Sequence, residues 1–331
     1  MNALYALIMV LALVIIPLLG AGAAGWHVLF GVVVPYLAFA TFVLGFIYRV
    51  VRWGRSAVPF KIPTTGGQQE SLPWIRRNRI DNPSTKMGVV VRMILEVVLF
   101  RSLFRNNRVR LFKEDTQLSY GTSKFLWLGA LAFHVSFFVI LARHMRFFTE
   151  PVPALFGWIE TLDGIMQVGV PVLFATEIVI LLALAYLFLR RILVPQLRYI
   201  SLPTDYFALF LLFAIVISGI LMRYFIRADI VDIKTLSMGL IQLQPEVPES
   251  IGAVFYTHLF LVCSLLVYFP WSKLMHLGGV FLSPTRNMPN DNRMRRHVNP
   301  WNYPVKLHTY EEWEDEYRDK MKEAGIPVEK E

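Results

Sequence analysis

The sequence predicts an all-α integral membrane protein: a six-transmembrane helix bundle with a cytoplasmic interfacial helix and a polar C-terminal tail. Three observations carry this. The chain of 331 residues is 55% hydrophobic and only 17% charged, with a mean hydropathy of +0.49, too apolar for a soluble chain of this length. It holds six apolar runs near the length of about 20 residues that a helix needs to cross hydrocarbon. None of the runs alternates with period two, which excludes a membrane β-barrel.

The elements follow in order. Residues 1–49 hold two spans, 3–20 and 28–48. The opening MNALYALIMV lacks a basic n-region, which argues against a cleaved signal peptide despite the later Ala21-Gly22-Ala23. Residues 50–122 form a basic loop. From Arg49 to Lys113 there are fourteen basic residues against three acidic ones, whereas Arg146 to Asp163 holds one against three. The Lys/Arg bias therefore puts the basic loop in the cytoplasm. Pro59 to Pro83 reads as irregular loop. Met87 to Phe104 is apolar but broken by Arg92, Glu96 and Arg101, and spanning there would invert the charge of every later loop. It is expected to lie in the interface, with Arg105 to Arg110 on anionic head groups or a partner subunit.

Residues 123–276 supply four more spans, 124–145, 165–189, 205–226 and 253–275. An even number of spans leaves both termini inside, with Arg190, Arg191 and Arg198 inside and residues 227–252 outside. Trp26 and Trp158 then fall at the outer boundary, and Trp53, Trp127 and Trp271 at the inner one, where amphipathic rings prefer to lie. The net charge of +9 reflects this asymmetry rather than nucleic-acid binding. Residues 277–331 are a polar cytoplasmic tail. Prolines 284, 289, 300 and 304 break its first part, and Tyr310 to Ala324 reads as a short charged helix. Ser283 to Asn302 has too little apolar surface to fold alone, and Trp301, Tyr303, Trp313 and Tyr317 suit a tail laid along a partner.

Two spans each carry two histidines, His134 and His144 in one, His258 and His276 in the other. A histidine in hydrocarbon costs free energy unless it is used. One alone is as readily a hydrogen-bonded core residue as a ligand. Four, divided two and two on antiparallel spans, favour two haems, each iron gripped by one imidazole from each helix. Orientation pairs His144 with His258 toward the outside and His134 with His276 toward the inside. The arithmetic is unequal, since ten residues rise about 15 Å and eighteen about 27 Å, so a kink or tilt of the last span near Pro270 is expected. His27, His297 and His308 are assigned to hydrogen bonding or the surface. Cys263 is the single cysteine, which excludes a Cys-ligated cluster within this chain. Any such cluster belongs to a partner.

A quinone site needs apolar walls and one or two polar groups. Near the outer histidines the candidates are Arg143, Arg146, Glu160, Asp163, Gln167, Arg223 and Tyr224. Glu177, about halfway down the fourth span, is either a proton relay or simply paired with an arginine or hydroxyl. Arg143 and Arg146 equally suit haem propionates, and Met145, Met166 and Met222 read as packing. A secondary transporter is the competing class, opposed by the lack of an internal repeat and the near absence of intramembrane carboxylates. A membrane di-iron desaturase would need closely spaced His clusters, and HxxxH does not occur.

The ten-residue spacing of Phe133-His134 to Arg143-His144, with the eighteen residues from His258 to His276, resembles the di-haem cytochrome b subunits of the respiratory nitrate reductase γ type. The resemblance covers mainly the last four spans, and one N-terminal span is additional. The tail SPTRNMPNDNRMRRHVNPWN and the long basic loop are more similar to the membrane cytochromes of sulfite-reduction-associated electron-transfer complexes. The resemblance implies two haems b, menaquinone as exchangeable substrate and location in the cytoplasmic membrane. It also implies a cytoplasmic iron–sulfur partner resembling heterodisulfide reductase, and further membrane and periplasmic subunits including a cytochrome c. Nitrate-type relatives use a lysine beside the outer haem, and none stands near the outer span ends here.

Overall fold

The computed structural model describes residues 2–56, 74, 78–105, 107–112, 117–167, 171–291 and 307–330. Helix α1 (Asn2–Gly22) runs through Pro17 to a short turn, and after a π-helical turn (Leu29–Val33) α2 (Val34–Gly54) follows. Helix α3 (Lys86–Leu99) is started by Thr85, whose hydroxyl accepts from the Gly88 N–H, and is stopped by Phe100 in the left-handed region at φ 49°. Helix α4 (Arg101–Phe104) leads to a hairpin of β1 (Asn107–Phe112) and β2 (Gln117–Thr122), antiparallel with Asn107 opposite Thr122. The interfacial segment is thus two helices, and the hairpin was not expected from the sequence.

Helix α5 (Lys124–His144) is followed by α6 (Ala154–Asp163), β3 (Gly164–Met166), β4 (Leu173–Phe174) and α7 (Ala175–Leu193). Then come α8 (Pro195–Ile200), α9 (Pro203–Ile220) with a π-helical extension to Ile226, α10 (Ile230–Ile241) and α11 (Ala253–Tyr268). Two single 3₁₀ turns (Phe269–Trp271 and Lys273–Met275) precede α12 (His276–Leu282), α13 (Pro284–Asn287) and α14 (Tyr310–Glu323).

Among the described residues, five helices are long and apolar enough to cross a bilayer: Asn2–Gly22, Leu29–Gly54, Lys124–Phe147, Pro203–Ile226 and Ala253–Trp271. The protein is an all-α integral membrane protein. Its large apolar side chains point outward, Leu44 being 67% and Phe125 79% exposed, which only a lipid surround tolerates on this scale.

The fourth expected span needs correction. Strands β3 and β4 occupy described residues of its first part, and α7 begins only at Ala175; with Glu177, Arg190 and Arg191 it is the most charged of the long helices of the bundle. Glu177 therefore stands in the first turn of α7, not halfway down a span. The last expected span is likewise broken rather than continuous. Pro270 has no N–H to extend the ladder, Ser272 is extended at φ −118°, ψ 178°, and His276 opens a new helix.

Helix α7 packs between α5 and α9, and α9 meets both α1 and α11, with α2 on the far side of α11. Val10, Leu211 and Leu261 close the α1–α9–α11 seam, and Ile180, Leu184 and Leu212 the α7–α9 seam. At Gly129 a Cβ would lie 2.5 Å from the Tyr186 ring, so only glycine admits this approach of α5 to α7. Among the described residues α5 and α11 share no such backbone seam, so the two histidine-bearing helices face each other across a gap.

The tail does not all leave the molecule. Arg286 pairs with Glu96 at 2.5 Å, Arg92 donates to the Thr285 carbonyl at 3.1 Å, and the Asn290 N–H donates to the Pro83 carbonyl at 2.7 Å. Residues 285–290 are thereby strapped to α3 and the turn before it. The expectation that the whole run to Asn302 needs a partner is corrected for this part: charged groups and backbone, not apolar surface, hold it. Trp301, Tyr303 and His297 lie outside the described residues.

Candidate functional site at the paired histidines

Four rings are set by the same device. In α5, His134 Nδ1 donates to the Ala130 carbonyl at 2.8 Å and His144 Nδ1 to the Ile140 carbonyl at 2.7 Å. His276 Nδ1 donates to the Lys273 carbonyl at 2.8 Å. His258 Nδ1 lies 2.9 Å from Ser218 Oγ, whose single proton goes to the Ile215 carbonyl at 2.9 Å, so the hydroxyl accepts from the ring. A carbonyl can only accept, so Nδ1 of His134, His144 and His276 bears the proton and Nε2 keeps its lone pair, and a hydroxyl that already donates to the Ile215 carbonyl favours the same tautomer at His258. That tautomer is the one a metal takes, with the second nitrogen held by an outer acceptor.

The rings meet in two pairs. His134 and His276 have centroids 5.9 Å apart with planes at 81°, and His144 and His258 lie 6.4 Å apart with planes at 17°. Two imidazoles sharing one metal at bonds of about 2 Å bring their centroids to about 6 Å. The donor set and spacing of both pairs therefore fit a metal held between opposed imidazoles. The unequal rise along the two helices is absorbed by the 3₁₀ turns at 269–275. Phe100, at the left-handed stop of α3, and Phe133 stand edge-on to His134 at 4.9 and 5.0 Å.

Beside His144 lies a compact charged cluster. Arg143, 8% exposed, pairs with Asp163 at 3.1 Å and Glu177 at 3.2 Å, and its guanidinium covers the Phe174 ring at 3.6 Å. Asp163 also accepts from the Thr176 N–H and hydroxyl at 2.9 and 2.6 Å. Tyr224 donates to Glu177 at 2.5 Å, and Arg223 lies over the same Phe174 ring at 4.3 Å while donating to the Val172 carbonyl. Two cations and two anions thus balance in a largely buried site. Arg146 and Glu160 form a separate pair at 2.7 Å. Gln167 and Met166 are exposed, outside this cluster, and Met222 packs in the α2–α11 core. His27 bonds to the Ala21 carbonyl and stacks on Tyr256 at 5.1 Å.

Sequence reasoning did not find Ser218 or Phe100. A lone hydroxyl deep in an apolar span was the available signal for the first. For the second there was none, because a bulky residue in the left-handed region is not legible locally.

The fold and paired histidines define a class, the membrane cytochromes b that carry electrons. The profile of the nitrate reductase gamma subunit family matches residues 88–290, and the chain belongs to that family. It is also 50% identical over 281 residues, 83% of each chain, to the "Hdr-like menaquinol oxidoreductase cytochrome b-like subunit" of Archaeoglobus fulgidus. The protein of the same description from Archaeoglobus profundus is 48% identical over 274 residues, 81% of each chain.

Proposed function

We propose that the chain is the menaquinol-reactive cytochrome b subunit of a membrane oxidoreductase. It would carry two haems b, on His134/His276 and His144/His258, and exchange electrons with a cytoplasmic iron–sulfur partner resembling heterodisulfide reductase. The observation that carries this reading is the geometry of the two pairs: each Nδ1 is anchored, each Nε2 is free and the centroids stand 5.9 and 6.4 Å apart. Two haems bound there would supply reversible one-electron storage at two depths.

The remaining chemistry is the chain's own. His144/His258 lies at the end away from the basic loop, which the Lys/Arg bias makes the outer face of the cytoplasmic membrane, with both termini in the cytoplasm. Glu177, Tyr224 and Asp163 stand next to it, where a quinol headgroup gives up protons. Arg143 and Arg223 balance the charge of these carboxylates, and Arg143 and Arg146 border the same pair. The family and the names of the relatives support quinol chemistry and an iron–sulfur partner. The likeness of tail and basic loop supports a place in dissimilatory sulfur metabolism, with further membrane and periplasmic subunits including a cytochrome c.

The visible difference spectrum of the purified chain tests the proposal. Two b-type haems per chain are expected, with His144→Ala removing one and His276→Ala the other. A folded, colourless preparation would overturn it, and a single variant abolishing neither signal would overturn the pairing.

A further inference from the structure

Helix α2, outside the matched family region, places a half-buried cation beside the segment that carries His276, at the end of the bundle where the basic loop leaves. Phe46, Arg49 and Trp53 follow i, i+3, i+7 and share one face of α2. That face lies on the segment carrying His276. Phe42 meets Phe269 edge-on at 5.5 Å, and a Cβ on Gly45 would lie 2.8 Å from Pro270. One on Gly278 would lie 3.2 Å from Phe46 Cζ and 3.7 Å from the Trp53 ring, and one on Gly279 3.7 Å from Trp53 Cη2. Arg49 sits between these two contacting residues on the same face of α2, and His276, the first residue of α12, is two residues before Gly278.

Its guanidinium leans on Trp53, with Cζ 5.6 Å from the ring centroid, and its buried Nε has no hydrogen-bond partner among the described residues. The Nε atoms of Arg143 and Arg223 at the far pair are likewise buried without a partner, but there Arg143 and Arg146 pair with carboxylates and Arg223 donates to a carbonyl, whereas Arg49 has no ion pair among the described residues. A guanidinium nitrogen buried without an acceptor is costly, and the planar fork matches a carboxylate.

We infer that Arg49 is the anion site for a propionate carboxylate of the haem held by His134 and His276, an inference that rests on the haem reading above. Helix α2, N-terminal to the matched family region, then has a role in that site: it packs on α11 and the turn at Phe269–Trp271 and presents the counter-charge. The small residues at 278 and 279 let the Phe46–Arg49–Trp53 face come close enough to do so.

The test is potentiometric titration, followed optically, of wild type, Arg49→Gln and Arg49→Lys, each also in a His144→Ala background that isolates the near haem. Losing a positive charge beside the haem destabilises its reduced form. Arg49→Gln is therefore expected to shift the near haem to lower potential, or to lose that haem alone, while the far haem keeps its wild-type potential. Arg49→Lys, which keeps the charge but not the fork, should fall between and serves as the readout if Arg49→Gln does not accumulate. Unchanged near-haem potentials in Arg49→Gln, or in Arg49→Lys if that is the only variant obtained, would overturn the inference. So would a loss of co-purified phospholipid phosphate with no haem effect, which would assign Arg49 to a lipid head group. Wild type without two haems fails the parent reading instead.

Discussion

Ser218 has one proton, and spending it on the Ile215 carbonyl leaves its oxygen to receive the His258 N–H. Replacing it with alanine strands a half-buried imidazole donor, a loss of about 1–3 kcal/mol at most, and outer partners that orient a ligating imidazole are worth about 10–100-fold in metal affinity. Ser218→Ala should leave the far haem substoichiometric and the near haem intact in the difference spectrum; equal retention of both would show that Ser218 orients nothing. The histidines were legible in the sequence because an imidazole in hydrocarbon has no bland use four times over. Ser218 was not, because hydroxyls in apolar helices usually turn back on their own backbone, as Thr257 and Ser264 do here. Glu177 was noticed for its charge but placed at the wrong depth, because its depth depends on where α7 begins.

Element boundaries show why. Gly164, Gly169 and Pro171 crowd the first part of the fourth expected span, and the apolar character of that stretch concealed the turn signals they carry. Pro270 was legible as a kink, yet the complete break needed Ser272, whose hydroxyl caps the Leu274 N–H only once the chain has turned. By contrast α14 lies within one residue of its expected end, since the Thr309/Glu312 capping box and its charge pattern are local. This helix also makes a titratable clasp. The Lys330 and Glu329 N–H groups, both donating to the buried Glu314 carboxylate, hold that group below its ordinary 4.5, with Arg318 adding to the effect. Lys330 and Arg318 likewise hold Asp315 below its ordinary 3.8. Both groups are depressed in the folded state, so the stability they lend is fully present above those ordinary values and is lost as pH falls through the folded ones. Hydrogen exchange across residues 310–330 of the full chain, corrected for intrinsic rate, should show protection constant above about pH 5 and lost in stronger acid. Glu314→Gln should weaken protection at neutral pH and flatten that dependence, and a wild-type-like profile would show that the clasp is held by other contacts.

At the scale of the molecule, composition was enough to predict a helical membrane bundle, and the antiparallel order of spans to set His134 opposite His276 and His144 opposite His258. What they did not show is a closed circuit at the basic end. His276 opens α12, α12 leads into α13, Arg286 of α13 pairs with Glu96 of α3, and α3 ends at Phe100, whose ring stands on His134. The two near histidines are thus joined through the interfacial helix as well as across the gap between α5 and α11. Such a circuit is invisible in the sequence because 190 residues separate its charged partners. The pair itself is half-exposed on the arginine side, so its direct energy is at most about 1 kcal/mol, and its effect should appear in the position of His276 rather than in global stability. Arg286→Glu, which sets two carboxylates against each other, is expected to lower occupancy of the near haem and leave the far one unchanged. Glu96→Arg combined with Arg286→Glu restores the attraction with reversed sign and should recover occupancy, although Arg92 beside the pair will make the recovery incomplete. If the single variant leaves both haems fully occupied, the strap holds the tail in place and has no bearing on the near site.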